Sequence, residues 1–362
     1  MQKVRFVQKE LEDFCSAVFQ KHGLGAREAL DSAKVLVAAD ARDISSHGVG
    51  RLRRYMIGFQ EKTILPDAEV EILRETPVSL VLDAHGAMGA PVSIRAMESL
   101  LDKAEKTGMA MGSVRDSNHF GIAGYYAMMA LERDMIGIAM TNTAALGVPT
   151  FGRQVMFGTN PIAFAAPADM EKGFVLDMAT TVVPRGKLEV YEREGRDLPP
   201  GWAVDRRGLT GTEPAQLLDD MFYRRGGGIL PLGGEGELFS GYKGYGLAVL
   251  VDICCAMLSG GLFGPEVRDT EKAAGRVCHY FGAFRVDAFR DPREFRADMD
   301  RMLRGLRETP VAEGQKRVYF AGLKEFEAEE RAAREGVPVS QKVYDDLQEI
   351  AKEMGLTLPE VC

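Results

Sequence analysis

Ser79-Leu80-Val81-Leu82-Asp83 reads as a short strand, closed by the turn residues Gly86, Gly89 and Pro91. After it, residues 92–106 place Ile94, Met97, Leu100, Leu101 and Ala104 at helical spacing, and residues 109–114 read as a second strand. Strand, helix, strand in that order is the grammar of an α/β domain. The second strand runs out into Asp116-Ser117-Asn118-His119-Phe120-Gly121. A polar cluster at the carboxyl end of a strand is where open α/β sheets place ligands.

Upstream lies a different texture. Residues 7–22 predict an amphipathic helix with Leu11, Phe14, Cys15, Val18 and Phe19 on one face, ended by Gly23 and Gly25. A second helix spans 26–41 and a third about 49–61, which ends near Leu65-Pro66. Between them runs Asp43-Ile44-Ser45-Ser46-His47-Gly48-Val49-Gly50-Arg51-Leu52. The break reads as a tight turn with Ser45 or Ser46 capping the third helix. Its unpaired N–H groups and dipole would then face whatever sits over Ser46 and His47, and Arg51 could grip a carboxylate bidentately. A proton donor beside an anion clamp suits an enzyme acting on a hydroxy or oxo acid. Taken alone, the same residues are better explained as a local cap and turn.

Downstream the alternation continues: a strand at 70–73 before the first one quoted, a helix at 123–132, and strands at 136–141, around 158–165 and at 174–179. The last of these leads to a helix start at Thr180/Thr181, with Arg185-Gly186-Lys187 just inside. Residues 192–230, charged and Gly/Pro-rich, hold the single Trp202 and read as an excursion. Tyr242-Lys243-Gly244-Tyr245-Gly246 opens an apolar helix with Leu247, Leu250, Val251, Cys254 and Leu258, expected to be buried. A strand at 282–286 and charged helices at 324–335 and 340–354 close the chain. The expected organisation is a helical segment at 1–68 on the substrate side, an α/β cofactor domain at 69–310, and helices at 311–362 packing back on the first segment.

The 362 residues are 46% apolar and 27% charged, an ordinary globular composition, and the net charge of −8 without a Lys/Arg run argues against nucleic acid as a partner. Five cysteines without Cys-x-x-Cys spacing give neither a disulfide framework nor a zinc site and fit a reducing compartment. The most apolar window, Gly246–Gly264, contains Asp252, which favours a soluble helix over a membrane span. No apolar stretch follows Met-Gln-Lys-Val-Arg-Phe, so no secretory signal is read, and a cytoplasmic enzyme is expected. Of the five histidines, His47 and His119 sit in glycine-flanked polar turns. His22 reads as a surface residue, His85 as a turn residue and His279 as a structural one. No histidine or carboxylate spacing calls for a metal. A hydrolase reading fails because Ser46 and His47 are chain neighbours whose side chains diverge, and no Gly-x-Ser-x-Gly elbow is present. No Gly-x-Gly-x-x-Gly follows a strand in the first hundred residues, so a dinucleotide would need another cradle, such as a glycine nest or the helix start after Asp177.

Seven motifs in order give the chain a resemblance. They are Ser46-His47-Gly48 with Arg51-Leu52 and Tyr55; Ser117-Asn118-His119-Phe120-Gly121; Gly158-Thr159-Asn160-Pro161-Ile162-Ala163-Phe164; and Asp177-Met178-Ala179-Thr180 with Arg185-Gly186-Lys187. The last three are Gly201-Trp202-Ala203-Val204-Asp205, Leu230-Pro231-Leu232-Gly233-Gly234 and Gly241-Tyr242-Lys243-Gly244-Tyr245-Gly246. Over nearly its whole length the chain resembles the non-Rossmann malate/L-lactate dehydrogenase family, which includes sulfolactate, ureidoglycolate and diketogulonate dehydrogenases and a cyclic-imine reductase.

The resemblance implies an α/β fold with a mixed-sheet cofactor domain of unusual topology and hydride transfer between NAD or NADP and a small 2-oxo or 2-hydroxy acid. It also implies a homodimer with active sites near the interface. It points to His119, or to the Ser46–His47 pair, as acid/base. Arg51 would hold the substrate carboxylate with Thr159 nearby, and Arg185 and Lys187 would serve the substrate. Neighbouring Arg53 and Arg54 are read as solvated. Thr143, Asp177, Met178, Ala179, Leu232, Gly233 and Lys243 would contact the cofactor. The alternative is an NADPH-dependent reductase of cyclic imino acids on the same scaffold, disfavoured because Arg185-Gly186-Lys187 follows the hydroxy-acid branch. Ala321-Gly322-Leu323-Lys324-Glu325 departs from the family's Pro-Gly-Glu, which leaves NAD against NADP open. The segment 235–240 is longer than usual before Gly241.

Overall fold

The computed structural model describes residues 3–267 and 276–362. A short strand β1 (Lys3–Phe6) leads into α1 (Gln8–Lys21), α2 (Ala26–Ala41) and α3 (Leu52–Gln60). α1 buries Leu11, Phe14, Cys15, Val18 and Phe19, the stripe that the spacing predicts. The cap expected before the third helix is not formed by serine. Two turns of 3-10 helix, Ser45–His47 and Val49–Arg51, meet at Gly48, and no serine side chain caps them. The Ser46 hydroxyl pairs instead with the His47 ring at 2.8 Å, so these chain neighbours converge where divergence is expected, because one tight 3-10 turn holds both; the Val49 N–H goes to Asp40.

The α/β part comprises β2 (Glu71–Thr76), β3 (Ser79–Asp83), α4 (Gly89–Thr107), β4 (Met109–Ser117), α5 (Ala123–Met128), β5 (Met135–Thr141), β6 (Ile162–Ala166) and β7 (Phe174–Met178). Then follow α6 (Arg185–Arg193), the two-residue strand β8 (Ala203–Val204), α7 (Pro214–Phe222) and β9 (Gly228–Ile229). The predicted helix start at Thr180/Thr181 lies five and four residues too early. Thr180 gives its N–H and hydroxyl to the Thr159 and Asn160 carbonyls, and Val182 N–H goes to Leu230 O, so this stretch is held like a strand until Pro184. The predicted excursion has a core of its own, with Leu198, Val204, Leu217 and Ile229, which also draws in Val148, Val155 and Leu188.

The chain continues with α8 (Gly241–Asp252), drawn out by a π-turn at Ile253–Met257, and β10 (Val277–Arg285). α9 (Pro292–Arg307), α10 (Leu323–Glu335), β11 (Val337–Ser340) and α11 (Gln341–Met354) complete it. The seven-stranded sheet has the order β2-β3-β4-β10-β5-β6-β7. Among the described strands only β3 and β4 pair in parallel, across α4; the other neighbours are antiparallel. A Rossmann fold is wound from parallel strands, so this mixed sheet is of another kind.

α4 and α5 cover one face of the sheet, with Met97, Leu100, Tyr126 and Phe281 in the core. β1 pairs antiparallel with β11, Lys3 opposite Ser340, and residues of α1 to α3 share a second core with Val337, Leu347 and Ile350. α9 escapes the sequence reading. Asp291 caps it by accepting from the N–H groups of Arg293 (2.9 Å) and Glu294 (3.1 Å), and Phe295, Met299 and Leu303 point inward. α8 departs from its expected burial: Leu250, Ile253 and Leu258 are 41%, 50% and 60% exposed. Among the described residues no helix is long and apolar enough to cross a membrane.

Candidate active site

The helical unit and the sheet bring His47 and His119 face to face. Their rings stack with centroids 5.5 Å apart and planes 19° from parallel. His47 comes from the first 3-10 turn, and His119 from the loop after β4. Each ring has a hydroxyl on its Nδ1, Ser46 Oγ at 2.8 Å for His47 and Tyr55 Oη at 2.5 Å for His119. Such a hydroxyl can donate to a neutral ring and accept from a charged one, so both imidazoles stay oriented in either protonation state. Burial, helped by the Arg51 and Arg54 guanidinium groups, pushes the His47 ring down to about 4. Burial likewise holds His119 well below the usual histidine range, with the His47, Arg54 and Arg51 charges adding to it. Each ring disfavours charge on the other, so the pair holds one added proton more readily than two.

Arg51 donates from Nε to the Ser46 carbonyl (2.6 Å), which anchors the guanidinium beside the pair. The neighbouring arginines divide. Arg53 is tied to α11 through Asp346, Glu349 (3.6 Å) and Glu353 (3.1 Å). Arg54, read from sequence as merely solvated, acts electrostatically on both histidines. Tyr55 lies on the apolar stripe of α3, and only the fold reveals its hydroxyl as a partner of His119.

The residues predicted to hold a cofactor form a connected wall. Thr143 and Thr159 hydroxyls lie 3.3 Å apart, and the Thr159 N–H donates to Thr143 Oγ1 (3.0 Å). Thr159 O accepts from Thr180 N–H (2.8 Å), and Thr180 O from Leu232 N–H (2.8 Å). Gly244 then presses on Leu232, where a Cβ would lie 2.3 Å from its carbonyl oxygen. Asp177, Met178 and Ala179 run along this wall from the end of β7; Gly233, at φ +101°, and Lys243, in the first turn of α8, flank its far side. Behind it Asp252 accepts from Asn142 and Asn160, both at 3.1 Å.

Asp177 joins the two halves. Its carboxylate accepts from Gly124 N–H at 2.7 Å, on the short helix that follows His119. Partial loss of water around the carboxylate pushes it up to about 6, partly offset by that N–H and by Arg42, although the residue keeps an exposed edge. Arg185 and Lys187 stand exposed in the first turn of α6, Arg185 paired with Glu189 at 3.0 Å, and the Glu189 charge reaches Arg51.

The remaining histidines sort by contact. His279 Nδ1 meets Thr141 (2.8 Å), its Nε2 meets Ser117 (2.9 Å), and it stacks on Phe120 at 4.4 Å, so both nitrogens serve the fold. His22, expected at the surface, is half-buried against Phe59, because the helix end turns inward there. Asp83, His85 and Asp116 gather within 4.8 Å, although the sequence spacing suggests no metal. Arg115 on Asp83 (2.7 Å) and Arg276 on Asp116 (3.2 Å) already supply the positive charge there.

Comparison with known proteins gives the family of the chain. The family model for malate/L-lactate dehydrogenase matches residues 6–348. The chain is 42% identical to the malate dehydrogenase of Pyrococcus abyssi over 99% of its length and 97% of that protein's. It is 35% identical to the L-sulfolactate dehydrogenase of Methanocaldococcus jannaschii, over 95% of each. The crystal structure of malate dehydrogenase from Entamoeba histolytica superposes with a TM-score of 0.94 at 32% identity, over 99% of this chain and all of that one (100%). More distant is the pyrroline- and piperideine-2-carboxylate reductase of Pseudomonas aeruginosa, 29% identical over 95% of this chain and 98% of that one. Fold and relatives together define an oxidoreductase that moves a hydride between a nicotinamide cofactor and a 2-hydroxy or 2-oxo acid. The chain belongs to the malate/L-lactate dehydrogenase family.

Proposed function

We propose that the chain reduces a small 2-oxo acid, and oxidises the matching 2-hydroxy acid, between the stacked histidines and the Thr143–Thr159–Asp177 wall. The observation that carries this reading is the His47–His119 stack beside Arg51. Arg51 grips the substrate carboxylate through its planar fork. His119 hands a proton to the oxygen that was the carbonyl, since its loop leads straight to the helix that holds Asp177. His47 and Ser46 back the second face of that ring, and Tyr55 orients it. The donor set of the wall suits a dinucleotide. Hydroxyls of Thr143 and Thr159 and the Asp177 carboxylate fit ribose and amide groups, whereas Gly233 backbone and Lys243, at the start of a twelve-residue helix, fit phosphate. When bound, the reduced nicotinamide supplies the hydride. Met178, Ala179 and Leu232 offer apolar and backbone contacts to it, and Arg185 and Lys187 attract the outer group of the substrate.

Two finer points belong to the same reading. The cofactor is NAD or NADP, and the protein works as a homodimer, the exposed face of α8 being the contact. The test mixes the purified protein with NADH or NADPH and a panel of oxaloacetate, pyruvate, sulfopyruvate, diketogulonate and piperideine-2-carboxylate. Loss of the reduced-nicotinamide absorbance with a 2-oxo acid is expected. Turnover confined to the cyclic imine would overturn the choice of substrate class, and failure to bind either cofactor would overturn the site.

A further inference from the structure

Asp40 lies at the end of α2, buried, and takes no part in the chemistry described above. Its carboxylate Oδ2 accepts the Val49 N–H at 2.7 Å. Val49 opens the second 3-10 turn, whose preceding residue, Gly48, has no side chain with which to cap it. The cap therefore comes from another element. The fit is close: a Cβ on residue 48 would lie 2.1 Å from Asp40 Oδ2 and 2.2 Å from both Cγ and Oδ1. The φ of −85° at Gly48 is open to any residue, so the glycine is required by the approach of the carboxylate and not by its backbone angle.

Gly48 is also the joint of the site. It ends the turn that carries Ser46 and His47, and its carbonyl accepts the Arg51 N–H at 2.9 Å. We propose that Asp40 is a positioning residue for the reaction, its carboxylate locking the joint at Gly48 and so fixing the Arg51 guanidinium relative to the His47–His119 pair. This rests on the roles assigned to those three residues.

The arrangement is costly for the fold, as befits a group kept for alignment. Burial pushes the Asp40 carboxyl up to about 7, opposed by the Val49 N–H and by Lys3 on β1, and reinforced by Asp43. From α1, Cys15 feels the Asp40 charge as well. An acid with a raised folded pKa binds more protons folded than unfolded. Its contribution therefore falls as pH rises from the unfolded value of about 3.9 through the folded one, and is least favourable above it.

Two variants test the proposal. Asp40→Ala removes the acceptor and is expected to lower kcat/KM for the 2-oxo acid on the order of 10²-fold, through both kcat and KM, the scale of a misplaced substrate. Its cofactor affinity, read by fluorescence titration, is expected to stay as in the wild type. Asp40→Asn keeps an acceptor for Val49 and is expected to retain most of the turnover. At about pH 8 it should raise the melting temperature above that of the wild type, with the gain much smaller at about pH 5 and gone only below about pH 4. Wild-type kcat/KM in Asp40→Ala would overturn the proposal. So would a parallel collapse of turnover, cofactor affinity and melting temperature in both variants, which marks a residue that serves folding alone. Wild-type turnover, measured first, decides the reading of the site separately from the role of Asp40.

Discussion

Burial holds both imidazoles of the stacked pair below the usual histidine range, and the Arg51 and Arg54 charges add to that effect. A substrate carboxylate on Arg51 cancels part of that field, so binding of the 2-oxo acid should draw a proton onto the pair. The two directions of the reaction then respond oppositely to pH. Reduction needs the charged ring, and kcat/KM for the oxo acid should fall as pH rises across the neutral range. Oxidation needs a neutral ring, which for His47 persists down to about 4. A neutral-range decline in both directions would contradict the assignment. His119→Ala is expected to lower turnover about 10²-fold or more, and His47→Ala comparably if the pair acts as a unit. Near-wild-type turnover in either variant removes that ring from the mechanism. Arg51→Lys should raise KM for the oxo acid more than it lowers kcat, because an ammonium cannot reproduce the planar fork. An unchanged KM would reject the clamp.

At the scale of elements, the Thr143–Thr159–Leu232 wall, the proposed cofactor side of the site, leans on Asp252. It joins α8 to the ends of β5 and β6 by accepting from Asn142 and Asn160, and Asn160 donates also to Ala248 O at 2.9 Å. Asp252→Asn would set an amide donor against one of those donors. A loss of about 1–3 kcal/mol in stability is expected, with weaker cofactor binding; an unchanged unfolding midpoint would show that the network relaxes freely. None of this network can be read from sequence, where Asp252 marks only a charge in an apolar window. Local periodicity did reveal α1, α2, α4 and α11, because each buries one stripe at helical spacing. β10 was legible only in its second half. Cys278 and His279 break the apolar run there, and the insertion of this strand between β4 and β5 is a long-range event without a local trace. The same limit applies to Tyr55 and Asp40. The first looks like core and the second like a helix end, and only packing brings Tyr55 to His119 and Asp40 to the Val49 N–H. α9 had a readable start in Asp291-Pro292, but its largely charged surface hid the stripe of Phe295, Met299 and Leu303.

For the whole molecule, the sheet is clothed unevenly. α4 and α5 seal one face, while on the other side α8 and its π-turn bury Val251, Cys255 and Ala256 against the strands and leave an apolar stripe outward. Leu250, Ile253 and Met257 recur at helical spacing along that stripe, and Leu262 and Phe263 continue it in the following loop. A contiguous apolar patch of this kind is rare on a monomer's surface. Its composition suits a second copy of the chain, since large apolar side chains dominate the cores of homodimer interfaces. The stripe also begins about two turns after Lys243 on the same helix, so covering it would steady the wall proposed for the cofactor. Sedimentation is therefore expected to give a dimer for the wild type. Ile253→Asp, which places a charge at the centre of the stripe, should shift it to monomer and weaken cofactor binding together, because burying an unpaired carboxylate in an apolar contact is strongly unfavourable. A dimer that survives Ile253→Asp would move the interface elsewhere on the surface, and a monomeric, fully active wild type would separate the chemistry from assembly altogether.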